Sequence, residues 1–155
     1  SSAFYTPTVR ITGSGEDYYS EVSFTNVEIS NGRGYKSGGI WAVDKVIVTV
    51  SGCTFDGNYA VHGAAIYYQS TDSGSEFKLD DSNTFSNNEA KISGGAIQFS
   101  GRKVEVEDLD DITFEDNTAF YGNDWAAYGV TLVQISPDED LTERYRNQGT
   151  RLLQQ

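Results

Sequence analysis

His62, Cys53 and a crowd of carboxylates between Glu105 and Asp116 are the side chains of this 155-residue chain whose types suit chemistry. His62 is the single histidine, so the chain alone assembles neither a His-centred metal site nor a catalytic triad. Its place before Gly63 reads as a surface turn. Cys53 is the single cysteine, which excludes an internal disulfide and a cysteine metal cage. Its neighbours Ser51, Gly52 and Asp56 bring no cation to lower the thiol pKa, so a small buried thiol is favoured over a reactive or intermolecular one. Glu105, Glu107, Asp108, Asp110, Asp111, Glu115 and Asp116 carry oxygen ligands of the kind that hold Ca²⁺. They lack EF-hand spacing and a Gly-Gly-x-Gly-x-Asp nonapeptide. A solvated acidic face at 105–116 is therefore favoured over a calcium site, and no cofactor is expected.

The formal net charge is −12, which argues against a nucleic-acid partner because phosphate binding needs a basic face. No apolar run approaches the ~18–20 residues of a membrane span. The chain has no Met, so it reads as a processed product or a segment of something longer. No Asn-x-Ser/Thr acceptor is present. Hydrophobic content of 37%, sixteen glycines and two prolines suit short strands joined by tight turns.

The elements that must position these residues come from a repeat. Cys53-Thr-Phe55-Asp-Gly-Asn58-Tyr-Ala60 is followed by Gly63-Ala-Ala-Ile66. Asn83-Thr-Phe85-Ser-Asn-Asn88-Glu-Ala90 is followed by Gly94-Gly95-Ala96-Ile97. Ile112-Thr-Phe114-Glu-Asp-Asn117-Thr-Ala119 is followed by Gly122-Asn-Asp-Trp125. A weaker first copy runs from Val22 and Phe24 to Gly38-Gly39-Ile40. Phe24, Phe55, Phe85 and Phe114 stand 31, 30 and 29 residues apart. A period of this length marks a solenoid, in which each unit buries its apolar face only against its neighbours.

Val46–Val50 is β-branched throughout and reads as a strand, as do Thr8–Thr12, Phe77–Leu79, Val104–Val106 and Val130–Ile135. Three short strands per repeat are expected: one like Val46–Val50, one ending in the repeated Phe and one around Gly-Gly-Ala-Ile. The expected fold is thus all-β, a parallel β-helix of about four coils over residues 1–136. Its repeats lie near 22–43, 53–70, 83–100 and 112–129. Phe24, Phe55, Phe85 and Phe114 would stack inside, beside a column of Ile40, Ile66, Ile97 and Trp125. Asn58, Asn88 and Asn117 would form a ladder at one corner, and Gly63, Gly94, Gly95 and Gly122 would turn another. Ser30-Asn-Gly-Arg-Gly34 would bulge from the first coil. Asn83, in the column of Val22, Cys53 and Ile112, has no rationale in the sequence.

Residues 137–155 change character. Ser136-Pro-Asp-Glu139 carries a helix-start signature, Leu141 and Tyr145 share a face, and a polar tail follows. Arg144, Arg146 and Arg151 against Glu143 give residues 141–155 a charge of +2, leaving −14 on the rest. Leu141, Arg144, Tyr145, Arg146 and Arg151 are therefore candidates for an assembly tail that docks on the acidic body.

Phe-x-x-Asn-x-Ala followed by Gly-Gly-Ala-Ile resembles the repeat of the chlamydial polymorphic outer-membrane proteins, and similar repeats of ciliate and other microbial surface proteins. The resemblance covers residues 22–129. It is full at Phe85–Ile97 and near at Phe55–Ile66, while Gly122-Asn-Asp-Trp125 looks like the form that ends such a series. It implies a right-handed parallel β-helix at the cell surface or outside the cell, without catalytic residues. The first-coil loop, the C-terminal helix and the lack of a barrel depart from that family.

Parallel β-helices also host polysaccharide lyases and hydrolases, and Arg102 and Lys103 beside the acidic run imitate such a site. About four coils are too short a rod for that kind of groove. The expected function is therefore a non-enzymatic extracellular structural subunit. It would join copies of itself end to end or by tail exchange into a filament or surface coat. The rival is an adhesin module of a larger surface protein, with surface glycans or host proteins as partners.

Overall fold

The computed structural model describes residues 6–13, 18–70, 72, 74–79, 82–101 and 112–128. Fifteen strands and no helix occur among them. They are β1 (Val9–Thr12), β2 (Ser20–Thr25), β3 (Glu28–Ser30), β4 (Ile40–Val43), β5 (Val46–Ser51), β6 (Thr54–Asp56), β7 (Tyr59–His62) and β8 (Ile66–Ser70). Then follow β9 (Glu76–Leu79), β10 (Thr84–Ser86), β11 (Glu89–Ser93), β12 (Ile97–Gly101), β13 (Thr113–Glu115), β14 (Thr118–Tyr121) and β15 (Trp125–Tyr128). The expected helix, the tail residues and the strands at Val104–Val106 and Val130–Ile135 lie outside the described residues, as does most of the acidic run.

Every pairing is parallel, and every partner is one coil away in the chain. Sheet A is β1-β4-β8-β12-β15, sheet B is β2-β5-β9, sheet C is β3-β6-β10-β13 and sheet D is β7-β11-β14. The first turn visits A, B and C, and the next two run through A, B, C and D, in a parallel β-solenoid of about four turns. A full turn thus holds four strands where three were expected. The additional one is the Asn-x-Ala segment itself, whose polar and small residues read as a turn yet pair in register, Ala60↔Ala90↔Ala119.

The register follows from what each column can bury. Val9, Ile40, Ile66, Ile97 and Trp125 form one column. Phe55 and Phe85 are fully buried and stack at 4.9 Å and 5°, and Phe114 continues the stack at 5.3 Å and 18°. Burying a ring of this size contributes about 2–3 kcal/mol, and offset stacking adds to it.

Phe24 does not belong to that stack. It lies in sheet B opposite Val50, and the partner of Phe55 in the first coil is Ile29. Ile29 is 6% exposed, so an aliphatic side chain closes the end of the aromatic column. Val27 therefore takes the position assigned to Val22 in the Cys53 column; the Thr54 N–H donates to the Val27 carbonyl, as that of Thr84 does to Cys53. With Ile29 as the reference, the first coil carries no bulging loop. Asn31, Gly32 and Gly34 donate their backbone N–H groups to Asp56, Asn58 and Tyr59 of the next coil.

The corners repeat as strictly as the strands. Asn31, Gly57, Asn87 and Asp116 stack between sheets C and D, with φ of 56°, 63°, 53° and 51°. Asn and Asp tolerate this left-handed geometry and Gly adopts it freely. Gly63, Gly94 and Gly122 do the same between D and A. At Gly94 a Cβ would also collide with the Ile97 carbonyl oxygen. The large length differences fall at the corner between sheets A and B: residues 13–19 join β1 to β2, Asp44 and Lys45 alone join β4 to β5, and residues 71–75 join β8 to β9.

Asn58, Asn88 and Asn117 are buried beside the Phe stack. Asn58 Nδ2 donates to the Ile29 carbonyl at 2.9 Å and to Asn88 Oδ1 at 3.0 Å. Asn88 Nδ2 donates to the Phe55 carbonyl at 3.0 Å and to Asn117 Oδ1 at 2.9 Å. Asn88 Oδ1 and Asn117 Oδ1 also take the backbone N–H of the Asn below, and Asn58 Oδ1 takes that of Gly32. Asn83 finds its rationale here. Its Nδ2 donates to the Val50 carbonyl and its Oδ1 accepts the Cys53 N–H, both at 2.9 Å, the same two-handed clamp at the corner between B and C.

Candidate ligand-binding face

Sheet D turns small residues inward and large ones outward. Ala60 and Ala90 are buried against Ala64, with Ala119 packed beside them. Small side chains let this sheet lie close to its neighbours, and alternation then sends Tyr59, Val61, Glu89, Lys91, Thr118 and Phe120 to the other side. In β11 the register shifts between Ala90 and Ser93, so one additional residue opens a bulge at Lys91 and Ile92. Bulges of this kind re-aim side chains.

The result is an exposed apolar stripe along several coils. Phe120 is 92% exposed and Tyr35 62%, with Ile92, Tyr121 and Tyr128 also exposed. Solitary exposed apolar residues are ordinary; a contiguous set points to a contact surface. Cations line it. The Arg33 guanidinium lies 5.3 Å from the Tyr59 ring centroid and the Lys91 ammonium 5.9 Å from the same ring. Lys36 Nζ stands 4.7 Å over Tyr67 and donates to the Tyr67 hydroxyl at 3.3 Å. These distances are in the range of cation–π attraction. Arg33 and Lys91 thus share one ring and Lys36 lies over another, on a chain of net charge −12.

At the edge of the stripe, toward sheet A, three polar tips meet. His62 Nδ1 lies 2.9 Å from Ser93 Oγ, and Ser93 Oγ lies 3.1 Å from the Tyr128 hydroxyl. The His62 ring packs edge-on against Tyr67 and Tyr128. Burial, with Lys36 nearby, lowers the His62 pKa from its ordinary value, so the ring is neutral at pH 7. A Ser hydroxyl within reach of an imidazole is also the spacing of an activated nucleophile. Here Ser93 is 1% exposed and its hydroxyl is shared with Tyr128, so the contact orients rings. His62 is accordingly half-buried at the end of β7, where the sequence suggests a surface turn.

Among the residues singled out in the sequence, Phe55, Phe85 and Phe114 meet in one stack, and Asn58, Asn88 and Asn117 in one ladder. Gly63, Gly94 and Gly122 share a corner, with Gly95 following Gly94 in the same turn. Phe24 is apart, in sheet B. Leu141, Arg144, Tyr145, Arg146 and Arg151 lie outside the described residues. The sequence reading passed over Tyr35, Lys36, Tyr59, Lys91 and Phe120. For Tyr59, Lys91 and Phe120 a signal was available, an aromatic or a cation beside Ala60, Ala90 and Ala119.

The repeat geometry decides which proteins the chain is to be compared with. Residues 52–69 span β6 to most of β8, and residues 84–100 span β10 to most of β12. Both match the Chlamydia polymorphic membrane protein (Chlamydia_PMP) repeat. Each polymorphic membrane protein repeat therefore corresponds here to sheets C, D and A of one coil, from the stacked Phe through the ladder Asn to the buried Ile. No curated protein and no solved structure gave a significant match to the chain.

Proposed function

We propose that the chain is a non-enzymatic module displayed at the cell surface or outside the cell, which presents the outer face of sheet D to a ligand. The observation that carries this reading is the exposed stripe from Tyr35 to Phe120 with its flanking cations. The polymorphic membrane protein repeat, from a family of surface and outer-membrane proteins, supports the location and a structural rather than catalytic role. The coils are taken to wind right-handed, as crossovers in parallel sheets do. Surface glycans and host or matrix proteins are the partner classes. The test is a binding screen against immobilised glycans and extracellular proteins, with wild type beside a Tyr35→Ala/Ile92→Ser/Phe120→Ala variant. A folded variant that loses the captured ligand supports the face; one that binds equally removes it from consideration.

A second reading is a subunit of a self-assembling filament or coat, joined end to end or through Leu141–Gln155. It is favoured by β1, an edge strand whose outer side has no partner among the described residues and which could template another chain. Electron microscopy over a concentration and salt series separates the two, since only the second yields rods longer than one chain. A polysaccharide-active enzyme is tested by the appearance of reducing ends or unsaturated products from acidic and neutral glycans.

A further inference from the structure

The Asn ladder has a terminus, and its chemistry is specific. In the earlier coils the second Nδ2 hydrogen of each ladder Asn goes to Oδ1 of the next Asn. Among the described residues Asn117 has no next Asn. Its Nδ2 donates to the Phe85 carbonyl at 3.0 Å and to Asp124 Oδ1, of its own coil, at 3.2 Å. A carboxylate accepts without donating, so it ends the chain of donors where an amide would continue it.

The backbone is closed in the same place. Along a parallel strand the N–H groups turn alternately to the two neighbours. Thr118 N–H goes back to the Asn88 carbonyl at 2.8 Å, so Ala119 N–H faces the side where a further coil would offer a carbonyl. Asn123 Oδ1 takes it instead, at 3.1 Å.

Both residues occupy positions held by Gly or Ala in the three preceding coils, with Pro7 and Thr8 at the other end of the column. In register with Asn123 stand Gly95, Ala64 and Gly38; with Asp124 stand Ala96, Ala65 and Gly39. The reason is visible at Gly95, where a Cβ would run into the backbone of Asn123 in the coil above. At Gly95 a side chain would fit only with no coil stacked on it.

We propose that Gly122-Asn123-Asp124 is a stop for coil stacking that closes this end of the solenoid to a second copy of the chain. Head-to-tail growth needs both ends of the stack, because a heterologous contact repeats only if each copy offers both halves. With this end closed, association through the β1 end stops at a pair. The inference stands on the end geometry alone and does not depend on what the face of sheet D binds.

The experiment has two arms. In native-state hydrogen exchange of the full chain, the Ala119 amide is expected to be protected like the Ala90 amide, its acceptor being Asn123 Oδ1 and not a carbonyl of any described coil. In light scattering over a concentration series, the folded Asn123→Gly/Asp124→Ala variant is expected to gain mass about twofold or more over wild type as the opened end accepts another copy. If the double variant does not fold, Asn123→Gly, which keeps the Asp124 bond, is read for the same gain. Free exchange of Ala119 in wild type overturns the proposal. So do head-to-tail rods formed by wild type, and a folded variant with wild-type mass at every concentration.

Discussion

Asn117 Oδ1 accepts two hydrogen bonds from Asn88, one from the backbone N–H at 3.1 Å and one from Nδ2 at 2.9 Å. Since Asn88 serves Asn58 in the same way, each ladder residue satisfies a backbone group that a corner would otherwise leave buried and unpaired. Asn88→Ala removes the acceptor of both the Asn58 N–H and Asn58 Nδ2 and a donor to the Phe55 carbonyl, while Asn117 Oδ1 keeps the backbone N–H of residue 88. A buried unsatisfied group costs about 1–3 kcal/mol, so a loss of roughly 3 kcal/mol or more is expected in urea denaturation. Asn88→Asp keeps the acceptor but sets a buried carboxylate oxygen against the Phe55 carbonyl and Asn117 Oδ1, both acceptors, and is expected to cost at least as much.

The position of Phe24 yields a paired test of register. Ile29→Ala removes a buried side chain from the end of the Phe stack and is expected to cost about 2–4 kcal/mol. Phe24→Ala acts on a half-buried ring in sheet B and is expected to cost less, despite the larger group removed. Equal or reversed costs in denaturation midpoints would return Phe24 to the stack.

Phe85→Ala is expected to be the most damaging change in the aromatic column, about 3–5 kcal/mol, because its ring is stacked on both faces. Phe114→Ala, at a half-buried position, is expected to cost less. The comparison is read from unfolding curves of the two variants.

His62 makes stability depend on pH with a definite sign. Burial first, and Lys36 second, lower its pKa below 6.5, so between the folded and unfolded values the unfolded chain binds more protons. Its contribution is present above pH 6.5 and lost as the pH falls through the window beneath it. His62→Gln should flatten the fall in denaturation midpoint between pH 7.5 and 5. An unchanged slope would show that other groups set it.

Cys53 is 1% exposed and its Sγ lies 3.3 Å from the Ser51 carbonyl oxygen. A thiol reagent added to native protein is expected to react only at the rate of unfolding, and immediately in denaturant. Rapid modification of the native chain would contradict this burial.

Much of this architecture was legible because its repeating side chains have few substitutes. Phe at the stack, Asn at the ladder and Gly at the left-handed corner each answer a need that most residues cannot meet. The first coil was misread for the converse reason. Ile29 fills its place in the stack by apolar volume alone and Gly32 stands in the ladder position, so neither carries the motif. A Phe five residues upstream carried the period instead. The Asn-x-Ala strand was missed because inward alanines lack the hydrophobic signal of Val46–Val50. The face of sheet D was missed because its residues differ from coil to coil, and only stacking brings Tyr35, Ile92 and Phe120 together.

The uneven corner between sheets A and B has a consequence for how such a chain changes over time. Because Asp44 and Lys45 suffice there while residues 71–75 are also accommodated, chain added at this corner leaves the columns in register. The body then acts as a fixed spindle with a fringe of adjustable length, successive threads emerging about 4.8 Å apart. A peptide grafted between Asp44 and Lys45 would be held beside the neighbouring threads at that pitch, so new side chains enter a row already spaced for them.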